Sequence, residues 1–274
     1  MDQAPITKSK LIFIGTISLI IICILYLFQQ LDPRTKIVFC NVGQGDATYI
    51  RIKNNIDILI DAGPDNKILN CLSRYMPFFD RKIEYAIISH PQKDHYNGFS
   101  YLLDRYKIDN IIMPETNTLS TTFDTLFQKI EKSNTKVTNI FKEKQINIIG
   151  DILYIYHTKP TNVVDPNETA LIALFIENRT KVLFTSDLSK ISLMTLIINN
   201  SIFRNISILK VPHHGSKNGL SQKILQLADP GVSVISVGKN NSYGHPAKEV
   251  LETFRALKMK YLRTDEKGDI EFKL

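Results

Sequence analysis

Ser89-His90-Pro91-Gln92-Lys93-Asp94-His95 is the stretch on which the reading of this chain turns. It closes the apolar run Tyr85–Ser89, which reads as a buried β-strand, and Asn97-Gly98 then opens a helix. In such a strand-to-helix turn His90, Gln92, Asp94 and His95 project to one side, so one loop aims three or four donor groups at one point. Imidazoles and carboxylates gathered this way hold a divalent metal around a water, whose pKa the metal lowers from about 15.7 to about 7. An ordinary loop with a capping Asp is the plainer alternative. What weighs against it is the rest of the chain: of six histidines, only His157 lies outside a motif of this kind.

Working outward, Asp61 ends the apolar run Ile56–Ile60 and is followed by Ala62-Gly63. Asp187 follows Val182–Phe184 in Thr185-Ser186-Asp187; alone, Ser186 or Asp187 would read as a helix N-cap. His213 and His214 follow the strand-like Ile206–Val211, and His245 sits in Gly244-His245-Pro246 after the strand-like Val232–Val237. Adjacent side chains in an extended segment point opposite ways, so one of His213 and His214 is expected to bind metal directly.

The elements between these motifs alternate. Lys36–Cys40, Thr48–Ile52 and Ile56–Ile60 are short β-branched strands, with Asn54-Asn55 as a hairpin turn. Lys67–Met76 reads as a helix stopped by Pro77, Asn110–Met113 as a strand, and Thr121–Lys132 as a helix with Phe123, Leu126, Phe127 and Ile130 at helical spacing. Ile146–Tyr156 and Leu171–Phe184 read as hairpins. Helices over Lys190–Asn199, Leu220–Leu227 and Lys248–Leu257 follow, and a final pair of strands closes the chain. A strand-rich first half and then strands alternating with helices fit an α/β sandwich, with helices outside two packed sheets.

In order and wording these motifs resemble the metallo-β-lactamase fold, and most closely the hydrolase domain of ComEC-type DNA-internalisation proteins. Asn41-Val42-Gly43-Gln44-Gly45-Asp46-Ala47 resembles the strand-opening signature of those domains and of related phosphorylcholine esterases. Ser236-Val237-Gly238, Asn240-Asn241 and Tyr243-Gly244-His245-Pro246 extend the resemblance from Lys36 to the C-terminus. It implies an αββα sandwich with metal ligands among His90, Asp94, His95, Asp187, His214 and His245. By the same resemblance Asp187 bridges two metals, Asp61 orients a ligand histidine, Asp46 lies near the site, and His214 rather than His213 is the ligand. His213 is then free for substrate phosphate or leaving-group protonation, making Asp94 and His213 the expected catalytic residues.

Two departures bear on the site. Gln92 stands where the fold has His and this branch has Asp, and an amide is a poorer ligand than either. Asn167-Glu168-Thr169-Ala170 replaces an Asn-x-x-Ser pattern, and His157 lies too early to be the missing third-motif histidine. The expectation is one secure metal, zinc or manganese, with the second position, nearest His90, open.

Composition adds less. The chain has 274 residues, 43% of them hydrophobic, a formal net charge of +7 and a pI of about 9.1. That excess mildly favours a polyanionic partner, yet no dense basic run is present. Cys23, Cys40 and Cys71 match no zinc spacing, and their odd number argues against a disulfide framework, so they are expected to be small apolar side chains. Leu11–Phe28 carries no charge and as a helix spans roughly 27 Å, enough for a bilayer core. A cleaved signal peptide is the rival, but no small-x-small site follows Phe28. The expected organisation is a tail over residues 1–10, an anchor over 11–28, a linker over 29–35 and one hydrolase domain over 36–274. Lys8 and Lys10 lean toward an inside N-terminus and an extracytoplasmic domain at the cell membrane. The expected function is a membrane-anchored metal-dependent phosphodiesterase acting on DNA, with a channel protein in trans as a partner. An esterase for small or cell-envelope phosphodiesters, and a catalytically weak DNA-binding module, are the alternatives.

Overall fold

The computed structural model describes residues 7–30, 32–115, 120–157 and 166–274. The first six residues of the expected tail, and residue 31 of the expected linker, lie outside the described residues. The elements run α1 (Lys8–Gln30), β1 (Lys36–Phe39), β2 (Thr48–Ile52), β3 (Ile56–Ile60), α2 (Lys67–Tyr75), β4 (Lys82–Ile87), α3 (Lys93–Tyr96), α4 (Phe99–Leu102), β5 (Lys107–Pro114), α5 (Thr121–Glu131), β6 (Lys136–Ile140), β7 (Lys144–Ile148) and β8 (Asp151–His157). They continue with β9 (Leu171–Glu177), β10 (Thr180–Phe184), α6 (Lys190–Asn199), β11 (Ile208–Lys210), α7 (Gln222–Ala228), β12 (Val232–Ile235), α8 (Lys248–Ala256), β13 (Tyr261–Arg263), α9 (Thr264–Lys267) and β14 (Ile270–Lys273).

Two seven-stranded sheets form, ordered β14-β1-β2-β3-β4-β5-β6 and β13-β12-β11-β10-β9-β8-β7. Alternation along each strand sends successive side chains to opposite faces. Ile37 and Phe39 of β1 therefore face the layer between the sheets, with Ile50, Ile87, Phe175, Val182 and Phe184, while Val38 faces outward. The outer face of the first sheet is covered by Ile68 and Leu72 of α2, Phe99 of α4, and Phe123, Leu126 and Ile130 of α5. Leu193 of α6, Ile224 of α7 and Phe254 of α8 cover the second. This is the metallo-β-lactamase αββα sandwich expected from the sequence. Local chemistry agrees: Ser120, Ser189 and Ser221 cap α5, α6 and α7 by accepting from the backbone N–H three residues on, each worth about 1 kcal/mol.

β3, β4, β5 and β6 run parallel, as do β10, β11, β12 and β13. Their C-terminal ends meet at one end of the sandwich, and the motif loops leave from that end. At the opposite end β1 begins, the β2–β3 hairpin turns, and Lys53 Nζ reaches Asp151 Oδ2 of the second sheet at 2.8 Å.

The cysteine expectation is corrected. Cys40 and Cys71 form a disulfide, with Cα atoms 5.8 Å apart. Cys40 directly follows β1 and Cys71 lies on the inward face of α2, so the packing of α2 on the first sheet makes the pair. The odd count misled because the third, Cys23, sits apart on α1, exposed. Helix α1 itself is long and apolar enough to cross a membrane, and none of Lys8–Leu25 is buried against the rest of the chain.

Candidate metal centre

The site loops are laced together by their backbones. Ala62 N–H donates to His95 O (2.7 Å), Gly98 N–H to Gly63 O (2.9 Å), Gly63 N–H to Asp46 O (2.8 Å) and Asp46 N–H to Asp94 O (3.2 Å). A side chain at Gly98 would drive into the Ala62 carbonyl, and one at Gly45 into Asp94 O, which is why the motifs carry glycine there. Asp61 turns out of β3 at φ +57°, and its amide still donates to Ile87 O.

Four side chains converge at this end. Asp94 Oδ2 lies 3.2 Å from His214 Nε2 and 3.9 Å from His95 Nε2. Asp187 Oδ1 lies 3.4 Å from His95 Nε2, and its Oδ2 3.5 Å from His214 Nε2. The four donor atoms all fall within 4.8 Å of one another. Zinc bonds of about 2.1 Å in a tetrahedron separate ligand atoms by about 3.4 Å, which these distances bracket. The other ring nitrogens are already engaged. His95 Nδ1 meets Asp61 Oδ2 at 2.8 Å, and His214 Nδ1 meets the Ser236 carbonyl at 3.0 Å. Each pairing leaves Nε2 aimed at the common point, the arrangement that fixes a ligand tautomer. His95 Nε2 and Asp187 Oδ1 are buried without a hydrogen-bond partner of good geometry. Buried polar atoms are seldom left so, and a cation at this point satisfies both.

The electrostatics say the same. Burial alone would lower the imidazolium pKa of His95 and His214, but the surrounding carboxylates, Asp187 foremost, outweigh it and raise both well above the usual range. Burial would raise Asp187, and the two histidines hold it well below the ordinary carboxylate value. The carboxylates thus favour positive charge at this point, carried by the imidazoles or by a bound cation.

The remaining expected residues take distinct places. Asp61 accepts from Ser89 N–H (2.8 Å) and Ser89 Oγ–H (2.7 Å) as well as facing His95. Asp46 is buried, 3.4 Å from His214 Nδ1 and 3.8 Å from His95 Nδ1. His90 stands outside the four-atom group. Its ring centroid is 4.0 Å from that of His95, its Nδ1 contacts Ser89 Oγ (3.0 Å) and Ser186 Oγ (3.1 Å), and its Nε2 is buried without a partner. Burial and the neighbouring His95 bring its pKa down to about 4. Gln92 does not turn to the cluster with its amide nitrogen, which donates to Asn167 Oδ1 at 2.8 Å. Gln92 thus engages Asn167, the residue of Asn167-Glu168-Thr169-Ala170 that keeps the family pattern.

His213 and His214 correct the geometric argument for choosing between them. The segment is not extended: both residues are left-handed, at φ +50° and +51°. His214 is buried in the cluster, while His213 is 29% exposed with Nε2 3.8 Å from Asp187 Oδ2. His245 also lies outside the group. It is half-buried, 6.0 Å ring to ring from His213, and burial followed by His214 and His213 lowers its pKa.

Sequence reasoning missed Lys210. Its side chain is 3% exposed, its Nζ is ion-paired with Asp46 Oδ2, and it donates to the Ser186 carbonyl at 3.2 Å and lies 3.8 Å from Asp187 Oδ1. The signal was present: a lone lysine inside the apolar strand Ile206–Val211 is costly unless paired. Ser89 and Ser186, which bridge Asp61 and His90, were missed as well.

Comparison with known proteins agrees with this geometry. Residues 40–239 match the model of the metallo-beta-lactamase superfamily. The chain is 24% identical over 291 residues to ComE operon protein 3 of Bacillus subtilis, covering 97% of this chain and 36% of that protein. It is 27% identical over 280 residues to Recombination protein 2 of Haemophilus influenzae, covering 97% and 33%. It thus spans about a third of the length of these relatives. A further match, 30% identical over 111 residues, is competence protein ComA of Neisseria gonorrhoeae, covering 40% of this chain and 16% of that protein. Among solved structures, the metallo-beta-lactamase fold protein YhfI of Bacillus subtilis superposes with a TM-score of 0.59 at 15% identity, covering 87% of this chain and 99% of that one. A diphosphatase of the PhnP family gives 0.56 at 12%, covering 88% and 98%. At such identities the superpositions speak for the fold alone. The chain belongs to the metallo-β-lactamase superfamily, and its relatives there are ComEC-type competence proteins.

Proposed function

We propose that this chain is a membrane-anchored, metal-dependent phosphodiesterase acting on DNA in a ComEC-like uptake setting. The observation that carries the chemistry is the convergence of Asp94, His95, Asp187 and His214 on one point beside a partly exposed His213. Those four residues would hold the metal, and its nitrogen and oxygen donors suit zinc or manganese alike. A divalent cation there supplies Lewis acidity and lowers the pKa of a bound water. The chain's own groups do the rest. Asp61 and the Ser236 carbonyl hold the tautomers of His95 and His214. His213, accessible from solvent, is placed to bind a phosphate oxygen or to protonate the leaving oxygen as the phosphorus–oxygen bond breaks. The partner of Gln92 supports one complete metal position, with the one nearest His90 incomplete.

DNA as substrate rests on the competence and recombination relatives and on the net charge of +7. The competence and recombination relatives also support a membrane channel as partner in the proposed setting. The membrane address rests on α1, and the Cys40–Cys71 disulfide supports the extracytoplasmic side, because such bonds persist in oxidising compartments.

The test is hydrolysis by metal-replete protein of single-stranded DNA, double-stranded DNA and a generic phosphodiester, with His95→Ala as control. Metal-dependent DNA degradation lost in His95→Ala is the expected result. Action on the small diester alone would move the reading to an esterase. DNA binding without hydrolysis of any substrate would make the chain a binding module.

A further inference from the structure

The end of the sandwich opposite the metal centre carries an exposed aromatic pair. Phe78 is 69% and Phe79 53% exposed, their rings edge to face at 5.3 Å, in the loop between α2 and β4. Large apolar side chains grouped at one place on a surface mark an interaction site. Asp80 of the same loop binds Arg51 at 3.1 Å, and Arg51 registers opposite Lys36, where β1 begins. Ile149, 47% exposed, joins this end, since its carbonyl accepts from Lys53 Nζ at 3.2 Å.

The chain from α1 enters at this same end, and its entry is pinned. The Asp32 carbonyl accepts from Asn54 of the hairpin turn at 2.9 Å, and the Asp32 carboxylate pairs with Lys273 at 3.1 Å. Only the step from Gln30 to Asp32 separates α1 from the pinned segment, a reach of about 7 Å at most. If α1 spans a bilayer, the Lys36 end must lie against its surface. The metal centre is then about 17 Å further out, the length of a five-residue strand such as β3.

We propose that the Lys36 end of the sandwich docks on the lipid bilayer that α1 enters, with Phe78 and Phe79 seated at the interface and the metal centre facing away from the membrane. This rests on the reading of α1 as an anchor. Lys53, Lys82 and Lys273 at this end are paired, with Asp151, with Glu84 and Asp109, and with Asp32. The exposed Phe78–Phe79 pair makes the docking apolar in the main, so it survives salt and zwitterionic lipid.

The chain has no tryptophan, so a single one reports its own place. Full-length Phe78→Trp and Tyr243→Trp would be reconstituted in phosphatidylcholine vesicles with and without brominated acyl chains. Tyr243 is 69% exposed and lies in the loop that carries His245, at the metal end. Flotation of the vesicles reads the anchor, and fluorescence reads the docking. The expected result is co-flotation, a blue-shifted Phe78→Trp emission that falls by about half with brominated lipid, as for an interfacial aromatic, and no loss for Tyr243→Trp. Co-flotation with neither variant quenched would overturn the docking and leave the anchor standing. Quenching of Tyr243→Trp alone would reverse the face. Failure to float would remove the anchor and the docking with it.

Discussion

Replacing Asp61 by Asn separates the role of its charge from that of its shape. Asp61 is 2% exposed and accepts three contacts: Ser89 N–H at 2.8 Å, Ser89 Oγ–H at 2.7 Å and His95 Nδ1–H at 2.8 Å. Its φ of +57° lies in the left-handed region, which Asn tolerates at least as well as Asp, so the backbone has no reason to move. Asn keeps one oxygen for Ser89 N–H but presents an amide N–H₂ where Oδ2 met Nδ1. Two donors then face each other, or His95 shifts its proton to Nε2, the atom aimed at the metal. Loss of such an orienting partner costs 10–100-fold in metal affinity, or about 1.4–2.7 kcal/mol. Competition against a chromogenic chelator measures this for zinc, and thermal melting of the metal-free protein checks the fold. A folded Asp61→Asn protein that binds zinc as tightly as wild type would refute the argument that Asp61 sets the His95 tautomer.

Three other outcomes follow from the same geometry. Reducing the Cys40–Cys71 bond, which closes a loop of 31 residues, should cost about 4 kcal/mol and lower Tm by roughly 8–16 °C; an unchanged Tm in reductant would contradict it. Lys210→Met takes from the buried Asp46 carboxylate its lysine partner and should destabilise by about 3–5 kcal/mol in chemical denaturation, with part recovered in Lys210→Met/Asp46→Asn; a cost of the double variant equal to the sum of the single ones would deny the coupling. Gln92→Asp places a carboxylate where an amide now meets Asn167, and should add metal affinity at the second position; calorimetry showing two tight sites in wild type and no gain on substitution would end the one-complete-site reading.

Much of this molecule was legible because its site is written in local motifs. The strand-to-turn positions of Asp61, Asp94, His95 and Asp187 follow from apolar runs that stop at a polar residue, and the sandwich follows from the alternation of strands and helices. What was not legible depends on contacts far apart in the chain. The Cys40–Cys71 bond needs α2 to pack on β1, and no spacing rule carries that. β6 went unread because Lys136–Ile140 is half polar and lies on the edge of its sheet, without the continuous apolar run of a buried strand. Sequence pattern alone makes His213-His214 extended, yet two consecutive left-handed residues send one imidazole into the cluster and leave the other partly exposed. His90 and His245 carry motif positions as clear as the others, and only packing shows that they flank the four-atom group. Lys210 was visible as a charge inside an apolar strand, but its partner Asp46 comes from the first sheet.

The most direct test of the account is the metal content of the purified protein after exposure to zinc or manganese and removal of excess, measured by elemental analysis for wild type, Asp187→Ala and His157→Ala. The account predicts at least one equivalent in wild type and in His157→Ala and a clear loss in Asp187→Ala, whose carboxylate lies within 3.5 Å of both His95 and His214. Wild-type protein that retains no metal, or Asp187→Ala that retains as much as wild type, would contradict it.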